Sequence, residues 1–526
     1  MVQRRLLFVG GILSACLLCS AGGRADEGMW PFNHVPRAQL SRRYGFDVSE
    51  RWLEHVQRSS VRVSTCSGSF VSAHGLTLTN QHCAVDCLAR LSSPRRDLLE
   101  QGFYARTAAD EPVCPGSVIL ALEQISDVTA RIRRATAARE GQAFEQALEG
   151  ETASIEAECS RSAGGSNTSC ELVSLYHGGL YELYRYRRYQ DVRLVFAPEK
   201  AIAQFGGDPD NFNFPRFDLD VTFLRAYEHG RPALTPEHLT WSRSALATNE
   251  LTFMAGTPGS TERQRTVAEL EFLRDHALVE ELTQLAGYRG FLTAYGERGR
   301  EARRWSTPDL YRVENTFKEL SGAREALLEP SFFQRLVAQE RELRRRVEAD
   351  PRWRRDYGGA WEAVREAQIR SASFAREWLW IEGPPGFRPP WAKTSLFFWA
   401  RSLVRAAAER LRDNAERLPE YGESRLPALE QRLLAVQPLD REFEIAKLAF
   451  GLTALREALG ADHPFVRKVL GRAAPAELAR ELVQGSRLEH AAERERLWRG
   501  GRAALLESKD RMIQLALAID AEGRAL

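Results

Sequence analysis

The stretch GSFVSAHGLTLTNQHC, Gly68 to Cys83, brings an imidazole and a thiol to the end of an alternating strand. A histidine at a strand end can be presented by a loop, where it can take the proton of a hydroxyl nucleophile. Acyl transfer of that kind also needs a carboxylate that fixes the ring tautomer and stabilises the imidazolium. Asp220 offers one, directly before the alternating run VTFLRAY, and Asp218 lies two residues earlier on the same side of an extended chain. Asp220 is the preferred orienter because it sits at the strand entry. On residue types alone the plainer readings stay open: His82 as a packed histidine, and the aspartates as turn or cap residues.

The cysteines are read through the N-terminus. Arg4 and Arg5 precede the apolar run Leu6 to Ala21, and small residues follow to Ala25. That is the pattern of a signal peptide over 1–25, cleaved before Asp26. LSAC, Leu13 to Cys16, resembles a lipoprotein cleavage box and is the rival reading, leaving a lipid-anchored Cys16. No later run is long and uncharged enough to span a bilayer. Beyond the leader remain Cys66, Cys83, Cys87, Cys114, Cys159 and Cys170, an even set in an oxidising compartment. Cys66 and Cys83 flank the hairpin, Cys159 and Cys170 can close around GGSNTS, and Cys87 with Cys114 completes the set. Cys66, His82, Cys83 and Cys87 also have the residue types of a zinc site. Their spacing matches no common module and disulfides account for every cysteine, so neither a metal nor a cofactor is expected.

These groups need elements to hold them. VRVS, GSFVS, LTLTN, SVILALEQI, DVRLVFAP, DVTFLRAY and LTFMAG, between Val61 and Gly256, are short, rich in β-branched or aromatic residues and bounded by turns. They predict a small antiparallel barrel or sandwich, interrupted by a helical insertion near 130–160. From about Thr261 the chain is rich in Ala, Glu, Arg and Leu at helical spacing, with GPPGFRPPW as a connector between helical groups and TSLFFWARSLVRAAAERL as a buried helix face. The fold class is therefore α+β. Its 73 basic and 71 acidic residues are intermixed and leave a net charge of +2, which argues against a nucleic-acid partner.

Several motifs together resemble the bacterial serine dipeptidyl peptidases of types 7 and 11, whose His-then-Asp order is that of trypsin-like double barrels. They are DEGMWPFN, LTNQHC, GGDPDNFNFPRFDLDVTFLRAY, AGTPGSTERQRT and YRVENTFKELSGA. The resemblance runs from Asp26 to the last residue. It implies a chymotrypsin-like half-barrel over 26–260 followed by a helical lid over 261–526, in an exported, periplasmic protein. It makes His82 the general base and Asp220 its orienter. Asn211, Phe212 and Arg216 become parts of a pocket for a substrate's free amino terminus, reached from the helical region by Asn315. Substrates would then be oligopeptides with a free N-terminus. Oligomeric state is not legible, and a homodimer is left open.

The sequence departs from that family at three places. Gln81 stands where a second histidine is usual, and Phe212 and Phe214 stand where tryptophans are usual, so the aromatic floor loses its indole N–H donors. The family's serine lies in a GNSGSP motif of a second barrel, which is not found before IQLALAIDAEGRAL. Ser69, Ser166 and Ser260 lack the glycine-flanked setting of an oxyanion hole. The expectation is a truncated copy of a dipeptidyl peptidase that lacks its nucleophile. The alternative is a catalytically inactive protein that binds peptide N-termini.

Overall fold

The computed structural model describes residues 29–162, 167–203, 217–257, 263–384 and 388–525. Ten strands are described: β1 Ser60–Val63, β2 Cys66–Phe70, β3 Leu76–Thr79, β4 Phe103–Tyr104, β5 Ile119–Asp127, β6 Thr168–Leu175, β7 Leu180–Tyr189, β8 Asp191–Ala197, β9 Thr222–Glu228 and β10 Arg231–Pro232. They make one antiparallel sheet in the order β4-β8-β9-β3-β2-β1-β5-β7-β6, with β10 on β9. Every described element from Val267 onward is helical. The molecule is thus of mixed α and β structure, with a large antiparallel sheet and many helices.

The sheet forms where β-branched and aromatic side chains alternate. Val61, Val63, Phe70, Ile119, Val192, Leu194 and Leu224 are buried together as its core. On β3 the alternation is inverted: Thr77 and Thr79 face inward, each satisfying its hydroxyl on a backbone carbonyl, Gly75 O at 3.1 Å and Ser67 O at 2.9 Å. Gly75 makes the β2–β3 turn with φ +70°, and a Cβ there would lie 2.5 Å from Ala226 O, so the position admits only glycine.

The expected helical insertion is present as Thr129–Thr136 and Gly141–Ser162, between β5 and β6. Buried Glu156 ties it to the chain on either side, accepting from Leu172 N and from Ser424 Oγ, both at 2.9 Å. The helical region has its own core around Trp391, Trp399, Leu403, Leu452 and Met512. TSLFFWARSLVRAAAERL supplies helix Ser395–Glu409, with eleven buried residues, as its apolar face requires.

Two sequence expectations change. LTFMAG is not a strand: Phe253 packs on Phe46 and Trp52 at ring separations of 5.1 and 4.9 Å, while Met254 is fully exposed. Side-chain packing rather than a backbone ladder holds this segment. GPPGFRPPW is more than a connector, because Trp391 is buried and donates its indole N–H to Trp380 O at 2.7 Å. Among the described residues, those up to Leu53 form one compact unit with Trp241–Met254, and those of 54–240 and from Ala255 onward form the other.

Candidate active site

The site grows out of the pairing of β3 with β9. Their register ends at Thr79 opposite Thr222, so the residues that follow β3 run beside those that precede β9. Beyond Thr79 the chain turns: Cys83 N bonds Asn80 O at 3.3 Å and Ala84 N bonds Gln81 O at 2.9 Å. The tight turn His82–Ala84 leads into helix Val85–Leu91. This places the His82 ring over Asp220, 138 residues further along the chain.

His82 Nδ1 lies 2.7 Å from Asp220 Oδ2, and the His82 backbone N–H donates to Asp220 Oδ1 at 3.0 Å. Asn80 Nδ2 reaches both the carboxylate Oδ2 and the backbone carbonyl of Asp220, at 3.1 Å each. Three donors therefore converge on one carboxylate. Burial pushes the Asp220 carboxyl up, but the hydrogen bonds and charge of His82, with Asn80 adding to them, leave it below its ordinary value. The carboxylate is ionised at neutral pH and accepts the Nδ1 proton. That tautomer leaves Nε2 with a lone pair, and the ring is 62% exposed, against 16% for the Asp220 side chain. The carboxylate facing the ring is that of Asp220, not Asp218.

Disulfides hold the turn from both sides. Cys66–Cys83 joins the residue after His82 to the start of β2, with Cα atoms 6.1 Å apart. Cys87–Cys114, at 5.0 Å, fixes the helix that follows, and Cys159–Cys170, at 6.1 Å, closes the loop after the helical insertion. The donor atoms of Cys66, His82 and Cys83 do lie within 4.8 Å of one another. Both sulfurs are spent on each other, however, so they are not the thiolates a zinc ion would need.

Helix Arg300–Leu328 runs beside this turn. Its Arg312 pairs with Asp86, four residues past His82, at 2.6 Å, and Tyr311 packs against the core of the sheet. Burial and the nearby carboxylates of Glu100, Glu314 and Asp220 all push the Tyr311 phenol up. Asn315 lies on the same helix, one turn beyond Arg312, and is exposed. Asn211, Phe212 and Arg216, like Ser166 and Ser260, lie outside the described residues. Ser69 sits within β2 opposite Leu78. Sequence reading overlooked Asn80 and Arg312. The only signal for Asn80 was its place in LTNQHC, two residues before the histidine; Arg312 carried none.

An imidazole held through Nδ1 by an ionised carboxylate is an arrangement that can serve a hydroxyl nucleophile as its acid–base pair. The model of the Peptidase S46 family matches residues 25–526, and the chain belongs to that family. It is 29% identical over 303 residues to dipeptidyl-peptidase 7 of Phocaeicola vulgatus, covering 53% of this chain and 42% of that protein. It is 28% identical over 329 residues to the Asp/Glu-specific dipeptidyl-peptidase of Shewanella putrefaciens, covering 59% and 44%. The matched stretches thus span less than half of these relatives. The crystal structure of Porphyromonas endodontalis DPP11 in complex with the dipeptide Arg-Glu superimposes with a TM-score of 0.66 at 21% identity, over 95% of this chain and 74% of that one.

Proposed function

We propose that the chain is the histidine–aspartate part of an exported serine-type dipeptidyl peptidase, which releases dipeptides from the free amino terminus of peptides. The observation that carries this reading is the 2.7 Å contact of His82 Nδ1 with an Asp220 carboxylate already held by two further donors. In the proposed reaction His82 Nε2 removes the serine hydroxyl proton as the oxygen attacks the scissile carbonyl. The same proton then passes to the departing amine, leaving an acyl-enzyme that water hydrolyses by the reverse relay. Asp220 stabilises the imidazolium without itself taking the proton. The printed names of the relatives support the dipeptidyl specificity.

In this proposal Asn211, Phe212, Arg216 and Asn315 bind the substrate ammonium, with 26–260 as the half-barrel and 261–526 as the helical lid. Three disulfides within residues 66–170 suit a periplasmic setting. In this proposal the nucleophile is a serine in a glycine-flanked motif that Ser69, Ser166 and Ser260 do not match. The test compares the 526-residue chain with the same chain extended by the second barrel of a close relative. A fluorophosphonate probe and a dipeptidyl fluorogenic substrate should report on the extended protein alone, and His82→Ala should abolish both signals. Hydrolysis by the extended protein that survives His82→Ala would refute the role of the pair. Labelling of the 526-residue chain, removed by replacing one of its own serines, would refute the missing nucleophile.

A further inference from the structure

Helix Pro330–Ala349 ends, and helix Pro351–Tyr357 begins, in an arginine-rich stretch. Residues 340–356 hold seven arginines and five acids, Glu340, Glu342, Glu348, Asp350 and Asp356, a local excess of two positive charges (7 − 5). Most of the acids nearby are already engaged. Glu342 holds Arg345 and Arg346, Glu340 holds Arg344, and Asp356 holds Arg355. The Asp350 carboxylate caps helix Pro351–Tyr357, accepting from the backbone N–H of Arg352 and Trp353 at 2.8 and 3.2 Å. Among the described residues the guanidinium groups of Arg341, Arg352 and Arg354 have no acidic partner.

The stretch is also largely exposed. Of residues 341–360 only Val347 is buried. Trp353 is 49% exposed, Tyr357 56% and Leu343 52%. A charged helical arm kept only for solubility gains nothing from an exposed indole. Guanidinium groups with no acidic partner among the described residues, close in sequence to an exposed tryptophan and tyrosine, suit a surface that offers phosphates above and apolar depth below.

We propose that this stretch docks on the phosphate headgroups of an anionic lipid membrane. Arg341, Arg352 and Arg354 make the phosphate contacts, while Trp353 and Tyr357 enter the headgroup layer. The weak, exposed pairs of Arg345 and Arg346 with Glu342 can exchange for phosphate at little cost. Charge complementarity favours a membrane over neutral protein partners, and the exposed apolar side chains favour it over nucleic acid, which has no apolar depth at its phosphate surface.

The test is co-sedimentation of the full chain with vesicles of phosphatidylglycerol and phosphatidylcholine in equal parts, and with phosphatidylcholine alone. Each basic residue at an anionic surface adds a comparable increment, so three of them should give a preference for the anionic vesicles of about 100-fold. The preference should collapse in 0.5 M salt and in Arg341→Gln/Arg352→Gln/Arg354→Gln. Trp353→Ala/Tyr357→Ala should weaken binding to anionic vesicles while keeping its salt dependence. All five positions are exposed, and an unchanged melting temperature shows that each variant is folded. Equal binding to both vesicle types, a preference that survives the triple arginine substitution, or binding to duplex DNA but not to anionic vesicles would each overturn the proposal.

Discussion

Asp220→Ala removes the carboxylate on which the site converges, and its first effect should be local. The His82 backbone N–H donates to Asp220 Oδ1 at 3.0 Å and would lose that acceptor. A hydrogen bond to a charged group contributes about 1.5–3 kcal/mol. Asp220 is only 16% exposed, so solvent screening does not reduce that range far. At a factor of ten for about 1.4 kcal/mol, the His82 amide should exchange with solvent deuterium about 10- to 100-fold faster. The Ala84 amide, bonded to Gln81 O at 2.9 Å in the same turn, is the internal reference and should change far less. Asp220→Asn keeps one carbonyl acceptor and should fall between the two, whereas Asp218→Ala should leave His82 unaffected. The measurement is amide exchange by NMR or by mass spectrometry of peptides spanning Thr79–Val85. Unchanged His82 exchange in Asp220→Ala, or faster exchange in Asp218→Ala, would refute the assignment of Asp220 as the orienting carboxylate.

Because the Asp220 carboxyl lies below its ordinary value of 3.8, its contribution to stability is complete above the unfolded value and is lost as pH falls through the depressed folded one. His82 amide protection should therefore hold at neutral pH and decay only in strong acid, and earlier decay in Asn80→Ala would show how much that amide donor adds. Cys66→Ser/Cys83→Ser opens a loop with a sequence separation of 17; it should cost about 3 kcal/mol in denaturant unfolding and make the His82 turn sensitive to limited proteolysis. Buried Lys447 lies 2.9 Å from Glu444 and 3.5 Å from Asp309; Asp309 keeps Arg312, at 2.5 Å, but Lys447→Met should leave buried Glu444 without its cation, costing about 3 kcal/mol and lowering the melting temperature. At Gly451 an added Cβ would lie 2.3–2.6 Å from the backbone of Pro390 and Trp391, and Gly451→Ala should cost at least about 1–3 kcal/mol by the same measurement.

The elements differ in how far sequence could reveal them. β1, β2 and β3 repeat with period two between clear turns, and the helical region shows three- and four-residue spacing over long stretches. β6 and β7 went unread. TSCELVSL mixes polar and apolar residues, and LYELYRYRRY charged and apolar ones, on both faces, because each strand packs partly under helices and partly beside cations such as Arg62, which lies over the Tyr186 ring at 5.0 Å. LTFMAG misled in the opposite sense: its β-like composition serves an aromatic cluster with Phe46 and Trp52 rather than a ladder.

The sequence by itself determined what is local. It specified a histidine shortly after a strand rather than in its core, an even set of cysteines with a hairpin between two of them, a helical insertion, and a long helical region. These features rest on periodicity, parity and turn chemistry within a few residues of chain. Tertiary structure alone decided that Asp220 rather than Asp218 meets the ring, that Asn80 braces the same carboxylate, and that Arg312 reaches Asp86 from 226 residues away. Those outcomes depend on the register of β3 against β9 and on how a distant helix packs. Non-local burial sets both, and no window of sequence contains the two partners at once.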